Sequence, residues 1–256
     1  MVPILRRMIL LDLTIIIEEH LELDPNQIAG KYDLEPISFK NWDIKFYGKE
    51  TPYPFILVDN WYLPFEEKSI WSEIEFYERN IFIRESSEGP DATVATHDNN
   101  ISKAKNKRIF LGKLYREPSA SHINNCLYKQ RSAEFRKLLR ENCSPYYRSF
   151  EASNADSSMV SFYSDNDYYD THYDSPAWTC LIWMVKEPKF FDGGDFELTD
   201  INHKIELKNN RMVMFPSCFN HKVYPLKYHD SDNKSFGKYT ITHFYLHIPK
   251  RFYNSG

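Results

Sequence analysis

The sequence predicts an α+β protein in which helices pack outside a β-rich C-terminal core. From about residue 158 onward, short runs rich in aromatic and β-branched residues alternate with turn residues. Spacing of this kind is typical of a β-sandwich or barrel. The runs are "MVSFY", "AWTCLIWMV", "GDFEL", "KIEL", "RMVMFP", "HKVYPL" and "KYTITHFYLHI".

Helical spacing is confined to the earlier part of the chain. The segment "LPFEEKSIWSEIEFYERN" places Ile70, Ile74 and Tyr77 on one face and has Pro64 near its start, which predicts an amphipathic helix. A second helix is predicted over "SAEFRKLLREN" by the same spacing. Two apolar runs in this half predict strands, "PFILVDN" (54–60) and "RIFLGKLY" (108–115).

One long polar segment interrupts this half of the chain. Residues 85–107, "ESSEGPDATVATHDNNISKAKNK", predict a long loop. Its length suggests a lid or a disordered excursion, and the alternative is an ordinary surface loop. Both interpretations stay open. Residues 1–50 are mixed in pattern, and we expect a packed N-terminal extension there.

Composition and charge favour a folded domain that binds neither nucleic acid nor membranes. The chain has 256 residues, 42% of them hydrophobic, with 18 Phe, 18 Tyr and 5 Trp, enough for one sizeable core. The net charge of −4 gives no sign of a basic surface for nucleic acid, and a local basic patch stays open as the alternative. The opening "MVPILRRMILLDLTIII" is interrupted by Asp12 and is too short an apolar run to span a bilayer.

Cysteine usage indicates a reducing compartment. Four cysteines occur without a CxxC pair or the spacing of a small disulfide scaffold. In a chain of this length, free thiols are the expected state, which predicts a cytoplasmic protein.

The clearest candidate for chemistry is a His-x-Asp triplet in "YYDTHYDSPAW" (168–178). If the chain is extended here, His172 and Asp174 point to the same face and can converge on one ion. His221, after the turn signal "FPSCFN", is the best third ligand. Two imidazoles and one carboxylate leave coordination positions open, as suits a non-haem Fe(II) that handles oxygen. The alternative is a pair of ordinary surface residues.

The other histidines are interpreted as surface or packing residues. His243 and His247 in "THFYLHI" would share a helix face, but the pattern is β-like and separates them by about 13 Å along a strand. That distance is too long for one ion. The rest have no partner at convincing ligand spacing: His20, His97, His122, His203 and His229.

A cation also lies on an otherwise apolar strand. "GKYTITHFY" (237–245) places Lys238, Thr240 and Thr242 on one face. A buried ammonium needs a counter-charge, which a substrate carboxylate could supply. Alternatively, Lys238 is a solvated residue at the sheet edge.

Taken in order, these residues resemble the Fe(II)/2-oxoglutarate-dependent dioxygenases, and within them the prolyl 4-hydroxylase-like branch. The segments that carry the resemblance are Tyr163, the His-x-Asp triplet, "TCLIWMV", "FFDGGDFEL", "RMVMFPSCFNHKVYPL" and "GKYTITHFY". It is strong from about 158 to 248 and weaker from "PFILVDNWYLPFEE" onward. The resemblance implies a double-stranded β-helix (jelly-roll) core within a dioxygenase domain over residues 51–256.

The resemblance also implies roles for individual residues. His172, Asp174 and His221 would bind Fe(II), and Lys238 would meet the far carboxylate of 2-oxoglutarate. This sequence departs from the family in its longer stretch between His221 and Lys238, where "KYHDSDNKS" predicts an inserted polar loop. It also has lysine in place of the commoner arginine, hence a point charge instead of a bidentate fork.

Further contacts are implied for four residues. Tyr163 and Thr240 would hydrogen-bond 2-oxoglutarate, and Trp183 falls where some relatives carry a tyrosine that binds this cosubstrate. An indole N–H donates but cannot accept. Tyr169 would contact substrate. For the three aromatic residues a plain core role is the competing interpretation.

The implied activity is hydroxylation of an unactivated C–H bond with release of succinate and CO2. One candidate substrate is a prolyl residue of a protein or peptide, and the other is a small molecule. The cofactors implied are Fe(II), 2-oxoglutarate and O2, and ascorbate is a further candidate. No protein acid or base is required. Two alternatives stay open: a non-catalytic jelly-roll that binds a ligand or serves a structural role, and a metal enzyme that uses the triad without 2-oxoglutarate.

Overall fold

The computed structural model describes residues 42–49, 51–80, 83–85, 94–230 and 237–248. The strands of this part of the chain are β1 (Asp43–Tyr47), β2 (Phe55–Asp59), β3 (Arg84–Glu85), β4 (Ala104–Lys105), β5 (Lys107–Phe110), β6 (Ala155–Tyr163), β7 (Tyr168–His172), β8 (Trp178–Val185), β9 (Phe191–Gly193), β10 (Phe196–Leu198), β11 (His203–Ile205), β12 (Arg211–Pro216), β13 (His221–Val223), β14 (Leu226–Tyr228) and β15 (Lys238–Leu246). The helices are α1 (Pro64–Arg79), α2 (Leu111–Leu114), α3 (His122–Asn125), α4 (Tyr128–Arg131), α5 (Ala133–Asn142) and α6 (Tyr147–Glu151).

Two antiparallel sheets face each other and form a double-stranded β-helix. The major sheet has the order β1-β2-β12-β8-β15-β6-β5-β3, and the minor sheet has the order β11-β10-β13-β7-β4. Strands β9 and β14 form a separate pair. The α+β class with a double-stranded β-helix core is therefore confirmed.

Both faces of the major sheet are buried, and strand alternation divides its apolar residues between two cores. On β2, Ile56 and Val58 pack in the cluster that includes the helices, whereas Phe55 and Leu57 pack in the cluster between the sheets. The β8 run "WTCLIWMV" is buried at every position for the same reason. The space between the sheets is where side chains from opposite walls can meet.

Helix α1 confirms the first predicted helix, and a buried ion pair fixes its start. Pro64 occupies the first turn, and the Glu66 carboxylate accepts a 2.8 Å hydrogen bond from the Leu63 N–H. The same carboxylate pairs with the ammonium of Lys129, which also donates to the Trp61 carbonyl oxygen at 3.0 Å. Both charged side chains are almost fully buried.

Helix α5 confirms the second predicted helix, and the Ser132 hydroxyl caps it by accepting from the Phe135 N–H at 3.2 Å. The strand predicted over 108–115 is only half right, because the chain turns into helix α2 after Phe110. In that helix the Tyr115 N–H donates to the Leu111 carbonyl at 2.8 Å, so the apolar run continues as one helical turn.

The prediction of one loop over 85–107 is wrong in its second half. Thr96 and Ser102 form a β-bridge, and β4 then joins the minor sheet beside β7. Residues 86–93 lie outside the described part of the chain. The polar loop predicted at 227–235 begins later than expected, because β14 extends to Tyr228. Of residues 1–50, the structure describes 42–49, where β1 pairs with β2 and Trp42 packs in the core that includes the helices. The rest of the predicted extension, 1–41 and 50, lies outside the described residues.

Among the described residues, no helix is both long and apolar enough to cross a bilayer. All four cysteines are free: Cys126, Cys143, Cys180 and Cys218.

Candidate metal centre

Two neighbouring strands of the minor sheet bring the three predicted ligands together. β7 ends at His172, β13 begins at His221, and these two residues are direct partners in the antiparallel pairing. Asp174 follows two positions after His172. Potential ligand atoms of all three side chains lie within 4.8 Å of one another. The Asp174 carboxylate oxygens lie 3.7 Å from His172 Nε2 and 3.6 Å from His221 Nε2.

The way in which Asp174 reaches the cluster differs from the prediction. Alternation along a continuous strand was expected to place it beside His172, but β7 ends at His172 and Asp174 lies in the irregular segment that follows. Its backbone N–H donates to the Ser217 carbonyl oxygen at 2.9 Å, which ties this segment to the turn before β13. The meeting of the three side chains thus depends on contacts between segments.

Each histidine presents the same ring nitrogen to the cluster. Nδ1 of His172 lies 2.7 Å from the Asp170 carbonyl oxygen, and Nδ1 of His221 lies 2.9 Å from the Phe219 carbonyl oxygen. A carbonyl oxygen only accepts, so each Nδ1 carries the proton and each Nε2 lone pair faces Asp174. Burial lowers the pKa of each ring to about 4, so both imidazoles are neutral near pH 7.

This donor set fits a divalent transition metal. Asp174 is largely buried, and burial raises the pKa of its carboxyl group, although His172 and a hydrogen bond from Thr179 oppose that rise. A buried carboxylate between two neutral imidazoles lacks a charge to balance it, and a cation coordinated by all three would supply that charge. Hydrogen bonds that fix the imidazole tautomers are a regular feature of histidine ligands.

A cavity opens next to the cluster, between the two sheets. All three candidate ligands line it, together with Tyr169 and Val223 of the minor sheet. The opposite wall is the inward face of β5, β6, β8 and β15. Its lining residues are Arg108, Met159, Ser161, Tyr163, Leu181, Thr240, Thr242 and Phe244, with Asn106 just before β5.

Lys238 lies at one end of this wall and is fully buried. It is opposite Tyr163 on β6 and Val185 on β8, and its Nζ atom donates to the Gly194 carbonyl oxygen at 2.7 Å. The ammonium lies over two rings, 5.3 Å from the centre of Tyr163 and 5.2 Å from that of Trp183. Burial lowers the pKa of Lys238 to about 7, against a smaller opposing effect of Asp195. The alternative of a solvated edge residue is wrong.

Two buried hydrogen-bonding atoms beside Lys238 have no partner among the described residues: Nε1 of Trp183 and Oγ1 of Thr240. These two residues are direct partners across β8 and β15. Buried polar atoms are normally satisfied, so an unpartnered pair next to an ammonium indicates room for an acceptor such as a carboxylate. Thr240 lines the cavity; Lys238 and Trp183 lie next to its lining residues in the same sheet.

The two predicted tyrosines lie in the cavity wall in different settings. Tyr163 is buried, and the Asn106 side chain hydrogen-bonds its hydroxyl group. Tyr169 stacks on the His172 ring, with 3.6 Å between ring centres and 12° between planes. The Tyr169 hydroxyl accepts from the Ala95 N–H at 3.2 Å. Tyr169 therefore joins the ligand strand to the 94–103 segment.

Histidines that were set aside lie apart from the cluster wherever the structure describes them. His243 is buried, and its Nδ1 atom lies 2.9 Å from the Ser158 hydroxyl. His247 is exposed and lies 2.9 Å from the Ala152 carbonyl oxygen. His97 pairs with Asp170 and His229 with Asp192, both near the surface.

Sequence reasoning missed several residues of this site. Thr179 and Ser217 hydrogen-bond around the Asp174 carboxylate, and Asn106 and Arg108 line the cavity. Thr179 gave no signal because it lies in an apolar run that is buried on both faces. Asn106 and Arg108 fell in a stretch interpreted as loop or generic strand, where nothing indicates which side chains point inward.

The double-stranded β-helix with a His/Asp/His cluster between its sheets defines a fold that can hold a non-haem metal and leave coordination positions open. Residues 158–246 match the family model of the 2OG-Fe(II) oxygenase superfamily. This segment is therefore similar to that superfamily, and the family implies Fe(II) and 2-oxoglutarate as cofactors.

Two solved structures that share this fold are prolyl hydroxylases. A Pseudomonas putida prolyl-4-hydroxylase is 12% identical, with a TM-score of 0.53 over 76% of this chain and 93% of that chain. A prolyl hydroxylase from Trichoplax adhaerens, solved with a hypoxia inducible factor oxygen degradation domain peptide fragment, is 14% identical, with a TM-score of 0.51 over 79% of this chain and 87% of that chain. Comparison with curated proteins found no match. The expected prolyl 4-hydroxylase-like branch is confirmed at the level of fold.

Proposed function

We propose that this protein is an Fe(II)- and 2-oxoglutarate-dependent hydroxylase that acts on an unactivated C–H bond and releases succinate and CO2. The observation that carries the proposal is the pair of Nε2 lone pairs facing one buried carboxylate at 3.6–3.7 Å. We assign the activity to a domain over residues 51–256, with a metal-binding core at about 158–248.

In this proposal His172, Asp174 and His221 hold the iron. Fe(II) together with 2-oxoglutarate supplies the oxidative chemistry, in which decarboxylation of the cosubstrate activates O2 for insertion of one oxygen atom into the C–H bond. The protein keeps both imidazoles neutral and correctly oriented. Three ligands on one face leave the remaining coordination positions to cosubstrate and oxygen.

The cosubstrate would lie between the metal cluster and Lys238. Its far carboxylate would accept from the Lys238 ammonium, replacing the Gly194 carbonyl, and from the unpartnered donors of Trp183 and Thr240. Tyr163, held by Asn106, would close this end. Replacing a carbonyl dipole by a full negative charge restores a normal ammonium to a buried lysine.

The substrate would enter on the side of Tyr169, and we infer a prolyl residue of a protein or peptide as the first candidate. Support comes from the prolyl hydroxylases that share this fold and from the aromatic surface around the ligands, where Tyr173 is 65% exposed. The apolar ring of proline packs well on aromatic faces. A small-molecule substrate is the alternative class.

The first test is anaerobic titration of the purified protein with Fe(II) and 2-oxoglutarate. Chelation of iron by the cosubstrate gives a visible charge-transfer band, which a non-catalytic jelly-roll or a metal enzyme without 2-oxoglutarate would lack. His172→Ala and Asp174→Ala should lose the band and succinate formation. His229→Ala, which removes an imidazole paired with Asp192 at the surface, is the matched control and should keep both.

A second variant tests the cosubstrate anchor. Lys238→Ala should leave metal binding intact and weaken 2-oxoglutarate binding by about 3–5 kcal/mol, the usual cost of removing one partner of a buried charge pair. Unchanged 2-oxoglutarate affinity would exclude Lys238 as the anchor. A succinate-release screen against prolyl peptides and free amino acids then separates the two substrate classes.

A further inference from the structure

Two buried hydroxyl groups extend the candidate metal centre beyond its three ligands. The Thr179 hydroxyl donates to Asp174 Oδ2 at 2.7 Å, and the Ser217 hydroxyl lies 2.8 Å from the Thr179 oxygen. Neither Thr179 nor Ser217 has measurable exposure to solvent. Thr179 lies on β8 of the major sheet, whereas Ser217 lies in the turn between β12 and β13.

Hydrogen-bonding capacity fixes the direction of this relay. An ionised carboxylate only accepts, so Thr179 must give its one hydroxyl proton to Asp174. The Thr179 oxygen can then only accept from Ser217. The chain therefore runs from Ser217 through Thr179 to Oδ2, and each donor polarises the next.

Asp174 needs such support because no regular strand holds it. A carboxylate rotates readily about its last bond, since that torsion has a broad two-fold profile. The hydrogen bond to Oδ2 fixes this rotation, so that Oδ1 lies 3.7 Å from His172 Nε2 and Oδ2 lies 3.6 Å from His221 Nε2. Ser217 supports the same residue twice, because its carbonyl oxygen also accepts from the Asp174 N–H at 2.9 Å.

We propose that Thr179 and Ser217 are positioning residues that orient the Asp174 carboxylate for metal binding. The proposal rests on the proposed function, since it presupposes that Asp174 is a metal ligand. Thr179 lies on β8 and Ser217 follows β12, both in the major sheet, whereas Asp174 follows β7 of the minor sheet, so the relay ties this ligand to the opposite wall. It makes metal affinity depend on two side chains that do not themselves contact the ion.

The test measures Mn(II) binding by calorimetry on the full chain, in Thr179→Val, Thr179→Ser and Ser217→Ala. Valine has nearly the shape of threonine but no hydroxyl, so Thr179→Val should weaken Mn(II) affinity by about 10-fold or more. Ser217→Ala should weaken it less, because Thr179 can still donate. Thr179→Ser keeps the hydroxyl and should restore affinity to within a few fold of wild type.

Ser158→Ala is the matched control, because Ser158 also has a buried hydroxyl group in a hydrogen bond, 2.9 Å from Nδ1 of His243, which is not a candidate ligand. It should lower thermal stability while Mn(II) affinity stays at the wild-type value. Wild-type affinity in folded Thr179→Val, or equal loss in Thr179→Val and Thr179→Ser, would overturn the proposal. If the wild-type protein itself binds no metal, the proposed function fails first, so the two failures are distinguishable.

Discussion

Lys238 Nζ and the Gly194 carbonyl oxygen are joined by a 2.7 Å hydrogen bond at the buried end of the cavity wall. The carbonyl is a dipole and balances an ammonium only in part, and burial lowers the lysine pKa to about 7. If 2-oxoglutarate binds here, its affinity should depend on pH. Above pH 7 the free protein increasingly carries neutral Lys238, which must take up a proton before it can pair with a carboxylate.

We therefore expect 2-oxoglutarate affinity in the Mn(II)-loaded protein to fall about tenfold per pH unit above pH 7. The sign follows because the charged form binds and its population decreases as pH rises. Lys238→Arg should remove the dependence, since arginine stays charged throughout this range. Calorimetry at several pH values from 6.5 to 8.5 measures the slope; a flat wild-type profile would contradict a titrating anchor.

The indole of Trp183 gives a second prediction for the same end of the cavity. Its N–H has no partner among the described residues, so Trp183→Phe should weaken 2-oxoglutarate binding by the value of one hydrogen bond, about 0.5–1.5 kcal/mol. Trp178→Phe is the control, because that indole donates to Tyr146 and Ser149. The control should lose stability and keep cosubstrate affinity. If Trp183→Phe instead loses stability and keeps cosubstrate affinity, Trp183 is only a core aromatic residue.

The sequence predicted the site residues that can be recognised by residue type and by order along the chain. A histidine pair, a nearby carboxylate and a lysine on an apolar strand are rare in a β-rich core, so His221 and Lys238 could be selected from the sequence alone. The supporting hydroxyl groups could not be predicted, because Thr179 differs little from its neighbours in "WTCLIWMV". Its role depends on contacts with Asp174 and with Ser217, which lies in the turn between β12 and β13. Tertiary contacts likewise decided where the 108–115 strand ends.

The ion pair between Lys129 and Glu66 predicts a stability effect that is separate from the site. Lys129→Met leaves the Glu66 carboxylate buried with the Leu63 N–H and the Tyr128 hydroxyl but no cation. It should lower the free energy of unfolding by about 3–5 kcal/mol. Adding Glu66→Leu should recover a large part of that loss, since no charge remains buried. Urea denaturation of both variants measures this, and an additive effect of the two changes would contradict the pairing.

Buried His243 predicts how stability depends on pH. Burial lowers the pKa of its imidazole to about 3 in the folded protein, against about 6.5 in the unfolded chain. Below pH 6.5 the unfolded chain binds a proton that the folded protein does not, so stability falls as pH falls toward 3, by about 2 kcal/mol at pH 5. His243→Gln should remove this share of the pH dependence. The free energy of unfolding that His243→Gln loses relative to wild type should therefore be smaller at pH 5 than at pH 7. Urea denaturation of the metal-free protein measures this difference. Ser158→Ala keeps the imidazole, so its free energy of unfolding should change with pH in parallel with that of wild type. If the loss of stability in His243→Gln is the same at pH 5 and pH 7, this ring does not titrate as proposed.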